Sequence, residues 1–124
     1  MISRSDTFES IRQKCRARLS LEQRARLRRH LEDPLGFLFR RNLRRLAQIY
    51  GSDKWAVHWY CQHYERHFAG LRTKKLTLLE IGIGGYKDPH AGGRSLRMWR
   101  RYFPYAAIFG IDIYDKKPHD ESRI

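Results

Sequence analysis

Apolar residues recur at helical spacing through the first fifty residues, then gather into short uninterrupted runs. Asp6 and Glu9 form a capping-box pattern ahead of Ile11, Cys15 and Leu19, with Phe8 on the same face. Ser20 and Gln23 repeat the pattern before Leu21, Ala25, Leu27 and Leu31. Asp33-Pro34 is a third start signal, with proline at the first helical position. That helix is predicted to run through Leu38, Leu43, Leu46 and Ala47 to Tyr50, where Gly51 stops it. A loop over Tyr50–Trp55 follows, then a helix with Tyr60, Tyr64 and Phe68 on one face, ending at Gly70. Leu76–Ile81 is a short apolar run suited to a buried parallel strand. A glycine-rich loop leads from Gly82 to Gly93, and Ser95–Tyr102 reads as a helix with Leu96, Trp99 and Phe103 inward. Pro104 closes it, and Ala106–Ile111 is a second buried strand ending on Asp112.

Strand, glycine loop, helix, strand and acidic residue make one βαβ unit, so the fold class is α/β. The strands, near Leu76–Ile81 and Ile108–Ile113, are predicted to be parallel neighbours with the helix crossing between them. The chain divides on this reading into a basic helical segment, 1–50, and the start of a Rossmann-like α/β domain, 51–124. The N-terminal helices are expected to pack their Leu/Phe stripe on the βαβ unit and turn their arginines to solvent.

Composition narrows the class. At 41% apolar with 13% aromatic residues, 124 residues suffice for one packed domain. No run approaches a membrane span, and the start lacks the apolar core of a secretory signal. Asp6 and Glu9 argue against a mitochondrial presequence, which leaves a cytoplasmic location as the expectation. Cys15 and Cys61 are isolated, against a zinc site or disulfide framework. The net charge of +13 divides into +8 over residues 1–50 and +5 over 51–124. Such a surplus favours polyanions, acidic surfaces or anionic lipid, through the Arg-rich N-terminal helices first.

The candidate chemistry sits where parallel strands deliver their carboxyl ends to a crevice. There Glu80-Ile81-Gly82-Ile83-Gly84-Gly85 stands ahead of a helix N-terminus, and Asp112 ends the next strand, placed to accept from both hydroxyls of a ribose. The pattern fails as a dinucleotide fingerprint, because the sixth position from Gly82 is Lys87, and it lacks the G-K-[ST] of a phosphate loop. An acidic residue two before the first glycine suits a cofactor with a cationic amino-acid end, as S-adenosylmethionine (SAM) has. A tight strand-to-helix turn with no ligand is the plainer alternative.

Four blocks carry a resemblance. Tyr50-Gly51-Ser52-Asp53-Lys54-Trp55, with His58-Trp59-Tyr60 and Tyr64–Phe68, precedes Leu78–Tyr86, then Gly92–Trp99, then Gly110–Lys116. Over about residues 43–124 the chain resembles the class I SAM-dependent methyltransferases that O-methylate sugars on macrolides, the mycinamicin 2''-O-methyltransferase group. The resemblance implies the first βαβ unit of a Rossmann-like sheet behind N-terminal helices, SAM as cofactor, and a small-molecule or glycosylated acceptor. It implies that Glu80, Gly82, Gly84 and Gly85 line the methionine part of SAM and that Asp112 binds the ribose. Ser52 would fold over the cofactor, with Asp53 and Lys54 holding that loop. The family also uses Mg²⁺, held by later Asp-Asp-Gly-Ser-His and Glu-Asp blocks that these 124 residues lack. The expectation is therefore a truncated methyltransferase, inactive by itself, with no catalytic residue assigned.

Three rival readings stand beside this one. His58, His63 and His67 could seat a metal, although His63–His67 is not H-E-x-x-H. Arg28-Arg29, Arg40-Arg41, Arg44-Arg45 and Arg100-Arg101 could bind a nucleic-acid backbone, although no recognition motif accompanies them. A non-enzymatic chain that docks on a complete methyltransferase is the third.

Overall fold

The computed structural model describes residues 20–124, so the expectations placed on Asp6 to Leu19 lie outside the described residues. Two compact units meet between Pro34 and Leu35, and the second, Leu35–Ile124, holds the βαβ unit.

Helix α1 spans Leu21–Leu38. It opens on the predicted capping box: the Ser20 N–H donates to Gln23 Oε1 at 2.9 Å and the Gln23 N–H to Ser20 Oγ at 3.2 Å. The predicted start at Asp33-Pro34 is corrected, because Pro34 lies inside this helix. A proline removes one helical hydrogen bond, and a helix can carry that loss. A new helix start instead needs a side-chain acceptor for its orphan N–H groups, and Asn42 supplies it. Its Oδ1 accepts the Arg45 N–H at 2.9 Å, at an extended backbone (φ −118°), and α2 (Leu43–Tyr50) begins there. Gly51 ends α2 as expected, in the left-handed region with φ 66°.

The expected burial of the apolar stripe is seen in α2, which packs on the crossover helix of the βαβ unit. Leu43, Leu46, Ala47 and Tyr50 are buried while Arg41, Arg44 and Arg45 face solvent. Leu27, Leu31, Leu35 and Leu38 of α1 remain exposed.

Helix α3 (Cys61–Phe68) runs into a 3₁₀ turn over Ala69–Leu71. Strand β1 (Thr77–Ile81), helix α4 (Arg94–Tyr102) and strand β2 (Ala107–Ile111) then form the predicted βαβ unit. The strands are parallel, in register from Thr77↔Ala107 to Ile81↔Ile111. Helix α4 lies on one face of this sheet and against α2, and buries Leu96, Met98, Trp99 and Tyr102. Tyr64, Phe68, Trp99 and Phe103 form an aromatic cluster, with Tyr64 stacked on Phe68 at 5.4 Å and edge-on to Trp99 at the same distance. Cys61 is a buried free thiol in this core, and burial foremost, with Glu65 adding to it, pushes its pKa up to about 11. The expectation that both strands are buried is corrected: the opposite sheet face, Leu79, Ile81, Phe109 and Ile111, is exposed, because among the described residues α4 covers one face of the sheet and nothing covers the other.

After β2 the chain turns back. Arg123 donates to the carbonyls of Arg100, Phe103 and Ala106 at the end of α4, and its own carbonyl accepts the Ile108 N–H at 2.8 Å on the outer edge of β2.

Candidate cofactor site

The carboxyl ends of β1 and β2 lie side by side, and every group of the site hangs from them. Glu80 is the penultimate residue of β1, on the face toward α4. Its Oε1 accepts from Lys54 Nζ at 2.6 Å and from Ser95 Oγ at 2.8 Å. One carboxylate thus ties together the 51–54 loop, β1 and the first turn of α4. The sequence reading foresaw a loop over the site but not this ion pair, because Lys54 and Glu80 are 26 residues apart. Glu80 Oε2 is buried with no hydrogen-bond partner, an acceptor that an ammonium group would satisfy.

Ser52 is buried, with its N–H on Ala47 O at 2.8 Å and its Oγ accepting weakly from the Lys54 N–H at 3.4 Å. Beside it Arg94, at the start of α4, donates to Gly51 O at 3.2 Å, which sets the 51–54 loop against that helix N-terminus. Asp53 points to solvent, where its carboxylate meets His58 Nε2 at 3.6 Å.

The glycines differ in what they do. Gly82 carries β1 into the loop with φ 79°, its N–H on Ile111 O at 2.8 Å, and a Cβ there would meet nothing within 4 Å. Gly84 (φ 78°) is nearly as open, with only Gly92 Cα at 4.0 Å. That is the room a ligand needs against bare backbone. Gly85 faces the protein instead: a Cβ would fall 2.0 Å from Ala91 O, so its bareness lets the loop close on itself. The return leg packs as tightly, since a Cβ on Gly92 would lie 2.3 Å from Gly84 O. Gly93 (φ 64°) precedes α4, whose first turn has no side-chain cap.

Asp112 joins the two strand ends. Its Oδ2 accepts the Ile83 N–H at 3.0 Å and its Oδ1 the Tyr114 N–H at 3.1 Å. These bonds, Tyr114's first, hold its pKa below the ordinary carboxylate value, so it is charged at neutral pH. Each oxygen keeps a second lone pair for a hydroxyl donor.

Two residues that sequence reasoning missed hold the loop from behind. Lys116 Nζ donates to Tyr86 O, Asp88 O and Ala91 O at 2.7, 2.7 and 3.2 Å. His119 lies under Gly93, with Nε2 3.2 Å from Ala91 O. Their partners are main-chain carbonyls, which carry no residue-type signal.

Among the described residues no three His, Cys, Asp or Glu converge on a metal position. The metal reading of the histidines is not carried by the structure: His63 and His67 are exposed, and His58 stacks on Tyr60 at 5.1 Å. Asp115 and Glu121 are engaged locally, the first by the Lys117 N–H and the second by Arg100 at 2.6 Å. Among the described residues no helix is long and apolar enough to cross a membrane.

No family profile matches the chain. Individual proteins do. The 8-demethyl-8-alpha-L-rhamnosyl tetracenomycin-C 2'-O-methyltransferase of Streptomyces olivaceus is 54% identical over 79 residues, 64% of this chain and 21% of that protein. The mycinamicin VI 2''-O-methyltransferase of Micromonospora griseorubida is 48% identical over 84 residues, 67% of this chain and 21% of that protein. The solved structure of MycE methyltransferase from the mycinamycin biosynthetic pathway, in complex with Mg, SAH and mycinamycin VI, superposes with a TM-score of 0.64 at 48% identity. It covers 67% of this chain and 23% of that one. The chain spans about a fifth of the length of the curated relatives it matches. In sequence and in fold, two thirds of this chain is related to the N-terminal part of the class I SAM-dependent O-methyltransferases that act on macrolide and polyketide sugars.

Proposed function

We propose that residues 51–124, with α2 packed behind them, form the cofactor-binding beginning of a SAM-dependent sugar O-methyltransferase working in the cytoplasm. The observation that carries this reading is the pair of carboxylates, Glu80 and Asp112, at the ends of adjacent parallel strands on either side of an open glycine turn. It is supported by relatives about half identical over 79 and 84 residues of this chain. SAM, when bound, supplies a methyl group on a sulfonium centre. Glu80 Oε2 would accept from its ammonium, and the uncapped first turn of α4 would face its carboxylate. Gly82 and Gly84 leave room for the methionine chain, Asp112 would take the ribose hydroxyls, and Ser52 and Lys54 would close the near side, braced by exposed Asp53 and His58. Gly85 serves by letting the loop fold tightly.

Magnesium accompanies the relative in its solved structure, and the described residues of this chain offer no converging ligand set for it. The acceptor proposed is a hydroxyl of a glycosylated natural product. Its proton must be taken in the transfer, and lack of an acid–base partner alone costs about 10²–10⁴-fold in rate. The 124-residue polypeptide by itself is therefore expected to bind cofactor without turnover. Titration calorimetry with S-adenosylhomocysteine tests the first part: a saturable heat that disappears in Glu80→Gln is expected, and no heat with the unaltered chain would sink the reading. Transfer of labelled methyl groups to a glycosylated macrolide by the 124 residues alone would overturn the second part.

A polyanion partner is a second reading, favoured by the exposed Arg44 and Arg45 of α2 and the exposed Arg41 just before it. A salt-dependent shift with heparin or RNA that is lost when these become glutamine would support it.

A further inference from the structure

The span Asp112–His119 does more than present a carboxylate. Lys116 is nearly buried, 9% exposed, and its ammonium has three N–H donors for three loop carbonyls, Tyr86, Asp88 and Ala91. These carbonyls belong to a stretch without regular secondary structure in which Gly85, Gly92 and, without being glycine, Tyr86 (φ 46°) occupy the left-handed region. Such a backbone persists only when its surroundings hold it. Its return leg touches the cofactor side directly, because Gly92 packs on Gly84 O and the Gly93 N–H donates to Ile83 O at 2.8 Å. A movement of the 86–91 carbonyls therefore passes to Ile83 and Gly84, and through the Ile83 N–H to Asp112.

We propose that Lys116 is the positioning residue of the cofactor loop: its ammonium gathers the three carbonyls so that the Gly82–Gly84 turn and Asp112 keep their ligand-binding arrangement. The proposal rests on reading that turn as the cofactor cradle. Lys116 makes no cofactor contact itself; it acts through the loop. His119, under Gly93, supports the same leg.

The test compares the 124-residue chain with Lys116→Met, Lys116→Arg and Lys116→Ala, and with Lys117→Met as the neighbouring control. Affinity for S-adenosylhomocysteine is measured by calorimetry below the melting range of each variant. Amide hydrogen exchange is followed at Asp88, Ala91 and Gly93 in the loop and at Gly82 in the strand ladder. Lys116→Met is expected to weaken binding about 10-fold or more. It should also lose protection at the three loop amides and keep it at Gly82. Lys116→Arg retains the charge but spreads its donors in a plane, so a smaller loss is expected. In Lys116→Ala, ammonium ion should restore part of the affinity by refilling the carbonyl cage, which a merely structural lysine would not predict. Equal affinity in the unaltered chain and Lys116→Met would overturn the proposal. If the unaltered chain does not bind S-adenosylhomocysteine, the cofactor reading fails, and loop exchange decides the rest. Unchanged protection in Lys116→Met, or in Lys116→Arg should the first variant not fold, then overturns the holding role as well.

Discussion

Asp112 spends its two oxygens on two backbone N–H groups before any ligand arrives, and this has a measurable pH signature. Its folded-state pKa is depressed, so its contribution to stability is complete above its unfolded value of about 3.9 and is lost as pH falls through the folded value. Asp112→Asn keeps an acceptor for one N–H and sets an amide against the other. Urea midpoints are expected to separate the two proteins at pH 7 and bring them together as acid protonates the native carboxylate. A gap that stays constant down the acid limb would contradict this. The glycines make a second contrast. Gly85→Ala meets Ala91 O at 2.0 Å as well as the left-handed penalty, whereas Gly82→Ala meets the penalty alone. The first should cost about 3 kcal/mol or more and the second about 1–2 kcal/mol, read from denaturation midpoints. Glu80 and Asp112 were legible in the sequence because strand ends announce themselves by an apolar run and a following glycine. Lys116 and His119 were not, since a carbonyl cage is written in backbone geometry.

Among the elements, the strands and α4 emerged within a residue or two of their predicted bounds, because continuous apolar runs mark the strands of a parallel pair and a crossover helix needs an inward face; the burial expected of both strands did not follow, since an apolar run does not say what covers each face. The break between α1 and α2 did not. Asp33-Pro34 satisfies every local rule for a start, yet Asn42 makes the actual cap with its side chain on Arg45 N–H. Local rules rank starts by residue type, while the chain chooses the one that lets Leu43, Leu46, Ala47 and Tyr50 reach the core together. Asn42→Ala should therefore cost about 1 kcal/mol, visible as a lower urea midpoint with an unchanged slope.

For the whole molecule, the sheet is half clothed. Helix α4 covers one face, while Leu79 and Phe109, Ile81 and Ile111 sit in cross-strand pairs on the other, with Ile113 beyond them 90% exposed. Parallel sheets are ordinarily covered on both faces, and an apolar patch left in water binds something or aggregates. The polypeptide is expected to bind a hydrophobic dye and to sediment as a concentration-dependent mixture. Phe109→Thr with Ile111→Thr should reduce both effects while leaving the βαβ core intact by circular dichroism. Dye binding that the double variant does not change would locate the exposed surface elsewhere, for instance along Leu27, Leu31 and Leu35 of α1.

The register Thr77↔Ala107 also bears on how fast the chain finds its fold. Each strand residue pairs with a partner thirty positions away. Closing a flexible loop of that length costs about 3 kcal/mol before the first ladder bond returns anything. The pairing is therefore a late event unless the intervening chain has already shortened itself. Helix α4 does this, and Leu96 lies so close over Gly110 that a Cβ there would be 2.7 Å from its methyl group. Docking α4 onto the nascent second strand is thus expected to precede zipping of the pair. In stopped-flow refolding, Leu96→Ala should chiefly slow folding, whereas Leu78→Ala in β1 should chiefly speed unfolding. The reverse pattern would mean that the strands meet first and the helix is laid over them afterwards.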